Sequence, residues 1–139
     1  MIKQLINIST LGLLVVTPFV AAQNITSDSF QTPSGNIHCE VYDNILRCDL
    51  MSRTNKKPTV PKDCPLDYGN VFELKNNKEG TKLICYGDTI ANPSHPKLPY
   101  GSKWSKLGIL CESETTGLTC TNQYGKGFFI SKANQKLFN

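Results

Sequence analysis

Six cysteines, two histidines, a pair of glutamates and a handful of aromatics are the residues of this 139-residue chain whose types and spacing can do chemistry. Cys39 and Cys48 stand nine positions apart, and so do Cys111 and Cys120. Both pairs have Ile two positions before the first cysteine, Glu directly after it and Leu two positions before the second. A layout used twice in one short chain points to a structural bridge rather than a nucleophile. An even cysteine count in an exported chain reads as a disulfide framework. The absence of C-x-x-C and the presence of only two histidines disfavour zinc, so neither a metal nor a cofactor is expected.

The first pair can be read in register. If Asp43-Asn44 forms a two-residue turn, Cys39 faces Cys48, Val41 faces Leu46 and Ile37 faces Leu50, all apolar and on one face. The other face then sets Glu40 against Arg47 and His38 against Asp49, opposite charges at cross-strand distance. A slip of one residue breaks both patterns together. This assigns a 39–48 bridge, the matching layout assigns 111–120, and Cys64 with Cys85 is what remains of the fifteen pairings six cysteines allow.

Three constellations compete for a functional role. The His38 and Asp49 pair can orient an imidazole for general-base work. There is no G-x-S-x-G elbow, however, the cysteines are engaged in bridges, and a surface cross-strand pair explains the two residues equally well. Glu112 and Glu114 lie two apart on a strand, hence on one face, as a glycosidase carboxylate pair would; nothing in the sequence marks a cleft beside them. No catalytic residue is therefore assigned. Tyr100, Trp104 and Tyr124, with Tyr86, can form an aromatic platform for a sugar ring or a partner side chain. Gly101, Gly125 and Lys126 flank it, and the two glycines let a ligand approach the backbone. Against that stands ordinary service as core residues with polar tips turned outward.

The elements that must position these residues read as nearly all β, because no segment sustains a helical period with caps. Residues 1–22 carry Lys3, an apolar run from Leu11 to Val20 and a small pair at Ala21-Ala22, the layout of a cleaved export signal too short to span a membrane. The expected mature domain is 23–139. It holds all six cysteines, and with Lys3 gone its charge falls from +4 to about +3, too mild for a nucleic-acid partner. No membrane insertion is expected after the signal is removed.

Gln23 to Ser29 reads as loosely held, Phe30 to Asn36 as a turn feeding the first strand, and Met51 to Asp63 as a solvated, lysine-rich loop. Asn70 to Leu74 and Thr81 to Tyr86 form a hairpin around NNKEG, with Gly80 supplying a positive φ. Thr89 to Tyr100, with three prolines and His95, reads as a rigid irregular crossing. Gly108 to Ser131 is a bridged hairpin followed by a strand, and Leu137 and Phe138 anchor the C-terminus. The fold expected is a small disulfide-bridged antiparallel β-sandwich or partly open barrel of about six to eight short strands, with little or no helix outside the signal peptide.

The segments TPSGNIHC, RCDL, YGNVFEL, ICYGDT, LPYG, GLTCTN and YGKGFFIS, with the closing QKLF, resemble a family of small exported bacterial proteins of unknown function. The resemblance covers residues 30 to 138. It implies a one-domain, disulfide-bridged export product and supplies no activity, substrate or catalytic residue. Lys126 stands where that family usually shows histidine in a G-H-G-F motif. The function expected is a non-enzymatic binding module of the periplasm or exterior, recognising an envelope glycan or protein through the loops at Tyr100 to Trp104 and Tyr124 to Lys126. The alternative is a small secreted hydrolase or an inhibitor of one, such as a lysozyme inhibitor.

Overall fold

The computed structural model describes residues 9–18 and 21–139. Of the expected export signal, residues 1–8 and 19–20 lie outside the described residues. The described part from 9 to 18 forms no regular element, and Leu11, Leu13 and Leu14 in it are almost fully exposed. Among the described residues there is no helix. Eleven strands build two sheets.

The first sheet is a sequential meander of β2 (Ser29–Gln31), β3 (Ile37–Tyr42), β4 (Ile45–Leu50), β5 (Val71–Leu74) and β6 (Thr81–Leu83). The second runs β7 (Lys103–Lys106), β8 (Ile109–Glu114), β9 (Gly117–Asn122), β10 (Gly127–Ile130) and β11 (Gln135–Phe138) in the same sequential order. One further strand, β1 (Asn24–Ile25), lies parallel on the outer side of β7. The architecture is an all-β sandwich rather than a closed barrel.

The hairpin register read from residue types is the one observed: Cys39 opposite Cys48, Val41 opposite Leu46 and Ile37 opposite Leu50. Asp43 and Asn44 both take positive φ, the primed turn whose twist suits a two-residue hairpin. The bridges are Cys39–Cys48, Cys64–Cys85 and Cys111–Cys120, with no free cysteine. Gly80, at φ 80°, closes the turn between β5 and β6.

Three expectations are corrected. Among the described residues the strands number eleven rather than six to eight, because several have only two to four residues and acquire their identity from a partner strand. Gln23 to Ser29 is held, not loose: the Gln23 N–H donates to Ser102 Oγ, the Lys103 N–H donates to the Gln23 carbonyl, and Ile25 packs on the core. Phe30 belongs to a strand rather than to the turn that follows it, and its ring is fully buried.

The core lies between the sheets and is built from corresponding rows. Across the first sheet the paired residues are Phe30, Cys39, Cys48, Phe72 and Leu83; across the second they are Trp104, Cys111, Cys120 and Phe128, while Leu137, next in line and expected to anchor the C-terminus, is exposed instead. In each sheet, then, an aromatic residue and a phenylalanine flank a cystine that links the second and third strands of a five-strand meander.

Candidate functional site

Strand direction gathers four turns at one end of the sandwich. These are Thr32 to Asn36 before β3, Pro99 to Gly101 before β7, Thr115-Thr116 between β8 and β9, and Ser131-Lys132 after β10. Between them lies a groove of about 400 Å³ whose walls include Ser34, Asn36, Tyr100, Glu114, Thr116 and Lys132.

Each turn is fixed by its own polar chemistry. The Gly35 N–H donates to the Thr32 carbonyl at 2.9 Å, and the Ile37 N–H donates to Thr32 Oγ1 at 3.2 Å. Asn36 donates from Nδ2 to the Ser52 carbonyl and accepts from the Ser52 N–H, a two-point clasp on the loop beyond β4. Tyr100 is set by the Gly101 N–H donating to the Ser113 carbonyl at 2.7 Å, with Gly101 at φ 83°. Its ring remains 46% exposed. A half-exposed ring among hydroxyls, an amide, a carboxylate and an ammonium can stack on a ligand's apolar face and hydrogen-bond its polar edge.

The other residues nominated for this surface lie elsewhere. Trp104 is fully buried, its ring 5.3 Å from that of Phe30 and its indole N–H donating to the Ser27 carbonyl at 2.7 Å. It serves the core and is withdrawn from the binding surface. Strand alternation explains this: in KWSK, Trp104 points inward while Lys103 and Ser105 point out. Tyr124 is half exposed but follows β9, whereas Tyr100 sits by the start of β9, so about 16 Å of strand separates the two ends. The Lys78 ammonium lies over the Tyr124 ring, 5.9 Å from its centre. Lys126 is half-buried, with its N–H donating to Asn122 Oδ1 in the same turn. Tyr86 donates its hydroxyl to Asp67, and burial together with that carboxylate pushes its pKa up to about 12. The four aromatics therefore form no single platform.

The two acid constellations also separate. Glu112 forms an ion pair with Lys103 across the strand at 3.3 Å, while Glu114 faces the groove. His38 and Asp49 are opposite in register, as read, yet both are buried rather than on the surface. The Asp49 carboxylate is taken by the Arg47 guanidinium at 2.8 and 3.0 Å and by the Ile90 N–H at 3.1 Å, so it does not orient the imidazole. Glu40 and Arg47 likewise face each other in register while Arg47 turns to Asp49.

His38 meets instead a residue that no sequence pattern connects to it: His95, with the two Nδ1 atoms 3.3 Å apart. Fifty-seven positions separate them, and only the path of the proline-rich crossing brings them together. Among the described residues no group of three or more His, Cys, Asp or Glu side chains comes together to hold a metal ion.

A family model described as Family of unknown function (DUF6636) matches residues 9–138. No curated protein and no solved structure matches the chain.

Proposed function

The chain belongs to the Family of unknown function (DUF6636), and from that premise we propose that it is a non-enzymatic binding module that takes an envelope glycan in the groove beside Tyr100. Three disulfides, and the lack among the described residues of a helix long and apolar enough to cross a membrane, fit an exported protein. On this reading residues 1–22 are the export signal, and the domain 23–139 works in the periplasm or outside the cell.

The observation that carries the reading is the groove itself. Tyr100 offers its ring face, Glu114 and Asn36 offer acceptors, and Thr116, Ser34 and Lys132 offer donors, all on turns fixed by backbone hydrogen bonds. A pyranose presents the complementary surface, an apolar face ringed by hydroxyls. Rigid turns favour binding because little side-chain or loop freedom is lost when a ligand arrives.

The test is titration of the purified domain with oligosaccharides of alternating N-acetylglucosamine and N-acetylmuramic acid, followed by calorimetry and amide shifts. Shift changes at Ser34, Tyr100 and Thr116, and at least about a tenfold loss of affinity in Tyr100→Ala, support the proposal. Equal affinity in Tyr100→Ala, or no binding, removes it. A parallel muramidase assay separates the other reading: suppression of added lysozyme by a protein that cleaves nothing itself marks an inhibitor, and cleavage by the protein alone marks a hydrolase.

A further inference from the structure

The crossing from Thr89 to Tyr100 is fastened to the first sheet at few points. Pro93, Pro96 and Pro99 have no N–H to give. Gln31 on β2 holds the middle, its side-chain amide donating to the carbonyls of Pro93 at 3.1 Å and His95 at 2.7 Å. The Gln31 backbone N–H donates to the Pro96 carbonyl, and the Leu98 N–H donates to the Gln31 carbonyl, both at 2.8 Å. The remaining fastenings are the Ile90 N–H, which donates to Asp49 on β4 at 3.1 Å, and the His38 imidazole.

The protons on that ring follow from its partners. His38 Nε2 lies 3.1 Å from the Gly35 carbonyl oxygen, which only accepts, so Nε2 carries the hydrogen. In the neutral ring Nδ1 is then an acceptor. It receives two N–H groups from the crossing, the Asn92 backbone N–H at 3.3 Å and Nδ1–H of His95 at 3.3 Å. Charging His95 at its outer nitrogen leaves this arrangement intact, since one hydrogen still lies between the two Nδ1 atoms. Charging both rings destroys it: His38 Nδ1 becomes a donor aimed at two other donors, and two like charges meet across 3.3 Å.

We propose that the His38–His95 contact is an acid-sensitive latch, closed while His38 is neutral and released when both imidazoles are charged, freeing residues 92–95 from β3 while Gln31 keeps its hold from β2. The surroundings offer a second charge little help. On β4, Asp49 is neutralised by Arg47 and the Ile90 N–H; on β2, His38 faces the uncharged Gln31; and Glu40, further along β3, borders with Asp28 the recess into which His95 reaches. Lys97 in the crossing adds only positive charge. Burial and the neighbouring His95 both hold the His38 pKa below its ordinary 6.5, against weaker pulls from the Gly35 carbonyl and Asp49. Beyond the latch the crossing stays pinned by the Gln31 bonds to Pro96 and Leu98 before it reaches Tyr100 in the groove.

The test is amide hydrogen exchange of the full domain between pH 7.5 and pH 4.5, with each rate divided by its intrinsic rate at that pH. Protection of Asn92 is expected to fall at least tenfold on acidification in the wild type while Leu98, Phe72 and Phe128 hold theirs. In His38→Gln, whose side-chain oxygen still accepts from Asn92, it is expected to stay flat. An equal fall in His38→Gln, or no selective fall in the wild type, overturns the latch. Should that variant not fold, long-range 15N–1H spectra of the wild-type imidazoles decide: Nε2–H His38 at pH 7.5 that charges in step with opening supports it, and a charged His38 under a still-protected crossing overturns it.

Discussion

Phe30 and Trp104 meet across the sandwich with ring centres 5.3 Å apart, and each occupies the same place in its own sheet, opposite the first cysteine of a bridged hairpin. Phe72 and Phe128 repeat the relationship 5.7 Å apart, each opposite the second cysteine. Corresponding residues of two five-strand meanders therefore pack on one another. The two halves differ at their edges: Leu83 packs against the core, whereas Leu137 is exposed.

The aromatic row carries a large share of the core, so Trp104→Ala is expected to cost roughly 3–5 kcal/mol in urea unfolding. Trp104→Phe keeps most of the packing but leaves the Ser27 carbonyl without its indole donor, and is expected to cost about 1–2 kcal/mol. A loss below about 1 kcal/mol for the alanine variant contradicts the central position of this ring.

The bridges differ in exposure. Both sulfur pairs within the aromatic rows are fully buried, while Cys85 is exposed and Cys64 partly so. A thiolate must reach a sulfur to exchange with it. Brief treatment of the folded domain with a mild reductant, followed by alkylation and mass mapping, is expected to label Cys64 and Cys85 alone. Replacing that pair with alanines should cost about 2–4 kcal/mol. Labelling of Cys39 or Cys111 under the same conditions contradicts the packing.

What was legible in the sequence follows from how local each feature is. Register and pairing in 37–50 could be read because the turn, the apolar face and the charged face constrain one another within fourteen residues. The all-β class was legible for the same reason. β1 and β2 were not, since strands of two and three residues carry no period and are defined by partners beside them, β1 by β7 far along the chain. Trp104 could be read as platform or as core, because a lone tryptophan near a glycine gives no sign which way it points until the alternation of its strand is known. His95 gave no signal at all: its role depends on where a proline-rich crossing lands.

Gly127 is a glycine because of close strand packing: a Cβ there would run into the Cys120 carbonyl oxygen on β9. Gly127→Ala must push β9 and β10 apart beside the Phe128 row, so a loss of more than about 3 kcal/mol or failure to fold is expected. Gly125→Ala meets nothing within 4 Å and bears only the left-handed backbone penalty at φ 72°, about 1 kcal/mol. Comparable thermal midpoints for the two variants contradict the close strand approach.

The buried imidazole also gives the global stability a pH dependence with a definite sign. His38 has a lower pKa folded than unfolded, chiefly through burial and then through His95. Between those two values the unfolded chain binds more protons, so stability falls as pH drops below 6.5 and levels off once the folded form is charged as well. His38→Gln removes the proton uptake and should flatten this limb, leaving the carboxylates to act at lower pH. Urea midpoints at half-unit steps from pH 7.5 to pH 4.5 measure the slope directly. A wild-type curve parallel to that of His38→Gln through this range would assign the acid sensitivity to other groups.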